Sequence, residues 1–303
     1  MSIDIRILTA QQEHFARLRA LGASFYQAGH PALDPSFMRW LYLGNPAGPA
    51  RFVVAEEDDE WIGVIVLVPV DLRVSSARQP ACFAINVLTH PAHRSKDVFV
   101  KMIRAASSHL SSIGVWLLGH PNRNASPGWR RQKMEFRPPL CAFIAKPRWS
   151  IAGLRAHTVR SQAELDALPQ EFWRTMNELP LVTIERSAGY MGWRFLDPPH
   201  KRYTLEIVYR DKQPAALQAT TAFRGPVRLL IDYCSLDGRY DGMRSDWLRP
   251  MLVMHPGGPA VQCASLASLS RLGIGKQLPF FATTWGCEPG QDWSAITLAA
   301  SDF

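Results

Sequence analysis

The stretch THPAHRSKDVFVKMIRAASSHL, Thr89–Leu110, decides how this chain is interpreted. A β-rich run ends at Pro91, basic residues follow, and apolar residues then recur at helical spacing. This order predicts a strand, a basic loop and a helix that begins near Val98. The first amides of a helix lack intrahelical partners and carry partial positive charge, so the arrangement is typical of an anion site. Glycines usually let the backbone approach a phosphate, but Ser95 and Asp97 stand in this loop.

The composition is that of an ordinary globular chain, with 303 residues, 47% of them hydrophobic and 20% charged. The length predicts two domains, each with a core of its own. The net charge is +8, but the basic residues are spread along the chain, so a small anionic ligand is favoured over nucleic acid. No apolar run reaches the length of a membrane span, and the N-terminus lacks the pattern of a signal peptide. We therefore expect a soluble cytoplasmic protein that binds neither nucleic acid nor membrane.

The cysteines and histidines indicate neither a set of disulfides nor a metal site. The five cysteines are widely scattered, and the nine histidines show no spacing typical of metal ligands. We expect reduced cysteines and no metal.

The chain repeats itself about half its length apart. FMRWLYLGNPAG, which begins at Phe37, resembles YMGWRFLDPPHK, which begins at Tyr190. Each opens on aromatic-Met-x-Trp-x-aromatic-Leu and leads through a proline-containing break into two β-rich runs with a charged turn between them. Trp40 and Trp193 are expected to be packing residues. In the first copy the charged turn, Glu56–Glu60, is expected to be solvated.

The later parts of the two copies correspond as well. We pair strand Pro80–Thr89 with Val227–Leu236, helix Asp97–Leu110 with Met243–His255, short helix Gly128–Phe136 with Leu266–Ile274, and the final strands LCAFIAK and LPFFATT. Proline and basic residues interrupt the pattern between the copies. The sequence therefore predicts two α/β units, residues 1–148 and 149–303.

Each copy has the order helix, strand meander, strand–loop–helix, strand, short helix and strand, which resembles the GNAT superfamily of N-acetyltransferases. VLTHPAHRSKDVF, Val87–Phe99, resembles its V-x-P-x-x-R-G-x-G loop, and Leu117–Phe136 resembles its fifth strand and following helix. The resemblance implies an α/β (α+β) fold of two tandem GNAT-like domains, each a mixed, mostly antiparallel sheet flanked by helices. The chain departs from the loop pattern, which is met at Arg94 only.

The resemblance implies acetyl-CoA, or another acyl-CoA, as co-substrate in the first copy, with the second copy lacking it. The family's CoA pyrophosphate lies over the start of the long helix, and its pantetheine arm pairs with the backbone of the preceding strand. Carried over to this chain, the resemblance implies that CoA is bound by Val87, Leu88, Thr89, Arg94, Ser95, Lys96, Asp97, Val98, Phe99, Asn122 and Trp129.

Asp97 leaves two interpretations open. A carboxylate close to a diphosphate costs on the order of 1–4 kcal/mol, which would weaken a working site. Alternatively Asp97 is the N-cap of the helix, and its side chain takes the amides that a phosphate needs. The basic neighbours Arg94 and Lys96 favour binding.

Acyl transfer to an amine needs a deprotonated amine, a polarised carbonyl and a proton for the leaving thiolate. His120, after the fifth strand, is the best-placed titratable group, although a turn histidine explains it equally. Asn86 is a candidate for orienting the substrate, or else a satisfied polar residue. Where the family often has a Tyr, this chain has Trp129, which returns no proton, so Ser126 or water would protonate the thiolate.

The expected function is transfer of an acyl group from acyl-CoA to a primary amine by direct attack, with a small molecule or a peptide as acceptor. The rival is a non-catalytic GNAT-like protein that binds a ligand or partner through a degenerate CoA loop. The acceptor cannot be identified, because acceptor pockets lie on variable loops. The oligomeric state is left open, with a homodimer as one option.

Overall fold

The structure, a computed structural model, describes residues 3–74, 76–145, 154–178, 182–236, 250–256, 266–268 and 278–283. The chain divides into two compact units. Among the described residues, the first unit contains 3–71, 79–137 and 279–283, and the second contains the rest. The boundary predicted between residues 148 and 149 lies outside the described residues.

The strands are β1 (Asp4–Thr9), β2 (Arg51–Glu57), β3 (Glu60–Val74), β4 (Ala77–Thr89), β5 (Trp116–Gly119), β6 (Phe136–Ala145), β7 (Leu154–Thr158), β8 (Val182–Ile184), β9 (Thr204–Arg210), β10 (Gln213–Arg224), β11 (Val227–Ser235), β12 (Met251–Pro256), β13 (Leu266–Ser268) and β14 (Leu278–Thr283). The α-helices are α1 (Phe15–Gly22), α2 (Pro35–Met38), α3 (Val98–Ser112), α4 (Ser126–Arg131), α5 (Gln162–Asp166), α6 (Gln170–Asn177) and α7 (Ala188–Phe195). Short 3-10 helices cover Gln12–His14, Pro31–Leu33 and Pro91–Lys96, and a π-helical turn covers Arg39–Leu43.

The first unit holds a mixed, mostly antiparallel sheet of order β1-β2-β3-β4-β5-β14. Strands β4 and β5 run parallel, with register from Ala81↔Trp116 to Ala84↔Gly119. On the other side of β5 lies β14, antiparallel, with Phe281 opposite Gly119. A strand from near the end of the sequence thus completes the sheet of the first unit.

Helix α3 covers one face of this sheet. Its buried residues recur three or four positions apart: Val98, Met102, Ile103, Ala106 and Leu110. They pack against alternate residues of the strands, among them Val53, Ala55, Cys82 and Ala84. Full burial of one such side chain stabilises the fold by about 1.5–3 kcal/mol. Phe52, the residue before Val53, faces the other way. Its ring packs against Tyr42 of the π-helical turn, with ring centroids 5.4 Å apart.

The second unit has the strand order β6-β12-β11-β10-β9-β7, with β13 paired to β6 and β8 paired to residues 72–74 of β3. Strands β11 and β12 are parallel, with Arg228 opposite Met251, and the other strand pairs described in this unit are antiparallel. Its core includes an ion pair between Arg186 and Asp232, both almost fully buried.

The structure corrects part of the predicted repeat. Residues 251–255 of the predicted helix Met243–His255 belong to strand β12, and residues 266–268 of the predicted short helix Leu266–Ile274 belong to β13. The remainder of both segments lies outside the described residues. The reason is visible in residues 250–254, where buried and half-buried positions alternate with the period of a strand and where Pro250 breaks a helix.

Several other predictions are confirmed. Helix α3 begins at Val98, and Trp40 and Trp193 are buried. The charged turn is exposed at residues 58–60, but Glu56 and Glu57 are buried, so the expectation of a solvated turn is wrong for those two. Glu56 is held at the end of β2 because two arginines, Arg6 and Arg17, reach its carboxylate at 3.1 and 2.9 Å.

Candidate functional site

A cleft opens in the first unit where β4 and β5 part. The two strands pair as far as Ala84 and Gly119, after which β4 continues to Thr89 without β5 beside it. At the opening Asn86 has a φ of 44°, in the left-handed region. The cleft encloses about 500 Å3 and is lined by Phe25, Val87, Thr89, Arg94, Phe99, Asn122, Asn124 and Ala125.

The structure therefore brings together five of the predicted residues, namely Val87, Thr89, Arg94, Phe99 and Asn122. Leu88 lies between two of them and is buried, as alternation along a strand requires. The sequence analysis missed Phe25, Asn124 and Ala125. Asn124 and Ala125 follow Asn122 in one turn and could have been predicted with it, whereas Phe25 reaches the cleft from a loop distant in sequence.

The predicted phosphate loop is the 3-10 helix Pro91–Lys96, which contains Ser95 and Lys96 and leads directly into α3. Arg94 is exposed, and its guanidinium carbon lies 5.8 Å from the ring centroid of Phe25. His93 lies beside β2, with its Nδ1 3.1 Å from a carboxylate oxygen of Glu57. The loop thus lies against the end of β2 and has an exposed arginine at the mouth of the cleft.

Asp97 stands at the N-cap position of α3 in a left-handed conformation, with φ 54° and ψ 22°. Its side chain accepts no hydrogen bond from the helix amides, so the self-capped interpretation is wrong. The Asp97 carbonyl instead accepts the bond from the Lys101 amide at 3.0 Å. Glycine adopts this backbone conformation at no steric cost, which is why a glycine suits the position. The side chain of Val98 is buried in the core, which leaves only its backbone for a ligand.

The turn after β5 is held by its own residues. The side-chain oxygen of Asn122 accepts a hydrogen bond from the Ala125 amide at 2.8 Å. The Ser126 hydroxyl donates to the Asn122 carbonyl at 2.9 Å. This bond engages the hydroxyl proton that Ser126 would need to give to a thiolate.

The side chains of Phe99 and Trp129 pack against one another. Trp129 is 1% exposed and lies in the core, with its ring centroid 5.8 Å from that of Phe99 and 4.6 Å from that of Phe281. A side chain at Gly128 would strike the Phe99 ring. The Phe99 ring is therefore accommodated by a glycine on α4, and the Trp129 side chain packs behind it.

His120 follows β5 on the face of the sheet opposite α3. Its ring lies between Phe83 and Phe280, with centroid distances of 5.5 and 5.0 Å. Nδ1 lies 3.0 Å from the carbonyl of Pro279, so Nδ1 carries the proton and Nε2 has a lone pair. Nε2 is buried and has no hydrogen-bond partner. Burial lowers the pKa of His120 to about 4, against the weaker opposing effect of the Pro279 bond, so the imidazole is neutral at pH 7.

Asn86 is hydrogen-bonded at both ends of its amide. The amide nitrogen donates to the Tyr42 hydroxyl at 2.7 Å, and the amide oxygen accepts from the Tyr26 hydroxyl at 3.2 Å. Burial raises the pKa of both phenols, which keeps them protonated. Neither tyrosine was predicted, because both come from segments far from β4 in sequence.

No described helix is both long enough and apolar enough to cross a membrane. No three His, Cys, Asp or Glu side chains in the described ranges lie close enough to hold a metal ion.

Comparison with known proteins agrees with this architecture. Residues 4–119 match the model of the acetyltransferase (GNAT) domain. The sequence matches none of the curated proteins with which it was compared.

Several solved structures share the fold over most of the chain. A probable N-acyltransferase from Enterococcus faecalis V583 is 12% identical, with a TM-score of 0.67 over 93% of this chain and 72% of that one. A tandem GNAT protein from the clavulanic acid biosynthesis pathway is 13% identical, with a TM-score of 0.55 over 95% of this chain and 100% of that one. The N-myristoyltransferase of Saccharomyces cerevisiae, with bound myristoyl-CoA, is 10% identical, with a TM-score of 0.53 over 95% of this chain and 84% of that one.

Residues 4–119 thus hold an acetyltransferase (GNAT) domain, and the solved structures share the fold over most of the chain. The matched domain supports acyl transfer in general terms.

Proposed function

We propose that the first unit binds acyl-CoA in the cleft between β4 and β5 and transfers the acyl group to a primary amine by direct attack. The observation that carries the proposal is the cleft itself. Its cavity of about 500 Å3 is bounded on one side by the end of β4 that extends beyond β5, and the exposed Arg94 forms part of its lining. The start of α3, where the Asp97 side chain takes none of the helix amides, follows the loop that carries Arg94. A long ligand with an anionic end fits these features.

The residues present fit acyl-CoA. Arg94 and the amides at the start of α3 would hold the pyrophosphate, since a charged donor and a helix N-terminus both favour an anion. The backbone of Val87, Leu88 and Thr89 would pair with the pantetheine arm, because β4 has lost its β5 partner there. The carboxylate of Asp97 opposes the pyrophosphate by like charge, so we expect weaker binding than a glycine would give.

Acyl-CoA supplies the thioester carbonyl that the amine attacks. His120 does not line the cleft and its Nε2 is buried, so we propose that the amine attacks without contact with this ring. With a pKa of about 4, His120 is also too weak a base to take a proton from an ammonium ion. We propose that water takes the proton that the attacking nitrogen loses and gives one to the leaving thiolate, because the Ser126 hydroxyl is held by the turn. The acceptor is a small molecule or a peptide with a free amine.

The second candidate function is a non-catalytic protein that binds CoA or a related anion without turnover. Two observations favour it, the Asp97 carboxylate at the loop and the Phe99 ring on the wall of the cleft. Binding and chemistry therefore have to be measured separately.

The test begins with calorimetric titration of the full chain with acetyl-CoA, longer acyl-CoAs and CoA. We expect Arg94→Ala to weaken binding by about 1–3 kcal/mol, the scale of a lost charge-assisted hydrogen bond. Arg104→Ala is the matched control, since Arg104 is an exposed arginine of α3 that does not line the cleft. Absence of CoA binding would overturn the transferase and would leave the second candidate only with a related anion as its ligand.

Turnover is then measured as thiol release from acetyl-CoA with a panel of amines. Release that depends on an amine supports the transferase, and tight binding without release for any amine supports the binding protein.

A further inference from the structure

Strand β4 changes the face it presents as it passes Asn86. Cys82 and Ala84 both pack on the α3 side of the sheet, as residues two apart should. Val87 packs on that same side, three residues after Ala84. Strict alternation would have placed Val87 on the opposite face, so the strand must accommodate one extra residue, as a bulge does, between Ala84 and Val87. The left-handed backbone of Asn86 marks where this happens.

The change of face builds the cleft. Because of it, Val87 and Thr89 line the cleft together with Phe99 of α3, while Leu88 is buried. Without the irregularity the alternation would be reversed, and Leu88 would take the place of its neighbours.

Two tyrosines hold Asn86 in place. Tyr42 is fully buried and packs at right angles on Phe52, so the hydroxyl that receives the Asn86 amide is fixed by the core. Tyr26 is half-buried and stacks on His30, with ring centroids 4.2 Å apart. The neighbour of Tyr26, Phe25, lines the cleft, so one short segment after α1 contacts both Asn86 and the cleft.

We infer that Asn86, clamped between Tyr26 and Tyr42, is the positioning residue that turns β4 so that Val87 and Thr89 face the acyl-CoA site. Both ends of its amide are engaged, so it acts through the backbone and not through contact with the substrate. The inference rests on the proposed function, because the ligand that β4 positions is acyl-CoA. Asparagine is among the few residues besides glycine that adopt left-handed backbone readily.

The test compares substitutions that separate the backbone from the side chain. Asn86→Ala removes both hydrogen bonds and disfavours the left-handed backbone, and we expect the Kd for CoA to rise about tenfold. Asn86→Gly removes the same hydrogen bonds but keeps the backbone free to turn, and we expect it to restore most of the lost affinity. Tyr42→Phe keeps the ring and removes one clamp, and we expect a smaller loss than in Asn86→Ala.

The control is Asn45→Ala. Asn45 is also buried in the first unit, and its side chain bonds the Pro69 carbonyl and the Ala47 amide, but it does not line the cleft. We expect it to lower the melting temperature without changing the Kd, when binding is measured well below that temperature.

Equal Kd values for Asn86→Ala and the parent, or for Asn86→Ala and Asn86→Gly, would overturn the inference and leave the proposed function standing. Failure of the parent to bind CoA would overturn the proposed function first and the inference with it.

Discussion

Asp97 has a left-handed backbone conformation, which glycine adopts more easily, and a negative charge, which repels a phosphate. Its φ of 54° costs a non-glycine residue on the order of 1 kcal/mol, and no cap bond offsets this. We expect Asp97→Gly to raise the free energy of unfolding by about 1 kcal/mol and, on the proposed function, to tighten CoA binding. Denaturant unfolding and calorimetry measure the two effects.

Asp58→Gly is the matched control for this substitution. Asp58 also has a positive φ, of 53°, but lies in the exposed turn between β2 and β3. It should gain stability without a change in CoA affinity. A loss of stability in Asp97→Gly would restore the idea that this side chain caps the helix.

His120 should make stability depend on pH in a defined window. Its folded pKa of about 4 lies below the ordinary value of 6.5, so the unfolded chain binds the proton more readily between these values. Stability contributed by the neutral ring is therefore present above about pH 6.5 and falls as the pH drops towards 4. We expect His120→Phe, which can still stack on Phe83 and Phe280, to flatten this loss. Unfolding curves at pH 7 and pH 4.5 measure it, and equal losses in both proteins would contradict it.

At the scale of elements, strand β14 gives the first unit part of its core. Phe281 is 1% exposed, and its ring lies against Gly119 and Trp129. We expect Phe281→Ala to destabilise the protein by about 3–5 kcal/mol, as for other large-to-small core changes. Phe223→Ala is the control, since Phe223 on β10 is 49% exposed and should change stability little. A loss below about 1 kcal/mol in Phe281→Ala would argue that β14 contributes little to the first unit.

The elements differ in how far the sequence could predict them. Helix α3 and the cleft residues of β4 were predictable, because local periodicity and a short motif define them. Strand β14 was predictable as a strand, but its pairing with β5 was not, since one apolar strand pairs with many partners in principle. Strand β12 was mistaken for a helix because the repeat imposed the pattern of α3 on it.

The residues of the candidate site also divide into those that the sequence could predict and those that it could not. Arg94 and Asn122 follow from the motif, whereas the left-handed backbone of Asp97 and the buried Nε2 of His120 depend on tertiary contacts. Among the residues that sequence alone missed, Phe25 and Tyr26 come from a loop that periodicity does not mark.

At the scale of the whole molecule, both units have an apolar core, and the second also buries an ion pair almost completely. Arg186 donates to both carboxylate oxygens of Asp232, at 2.9 and 2.6 Å, and also to the hydroxyl of Thr183 and the carbonyl of Ile184 at 3.0 Å. Burial alone would lower the pKa of Arg186, but Asp232 and other neighbours raise it, so the guanidinium stays charged.

Removal of one partner should therefore be costly. We expect Asp232→Asn to destabilise the protein by about 3–5 kcal/mol, because it leaves an uncompensated buried charge. The double substitution Arg186→Met with Asp232→Leu should recover much of this loss, since apolar residues of similar volume often replace a buried pair without cost. Neither residue lines the cleft, so CoA affinity measured below the melting temperature should stay that of the parent in both proteins. If CoA affinity fell together with stability, the second unit would contribute to binding and would be more than a structural copy.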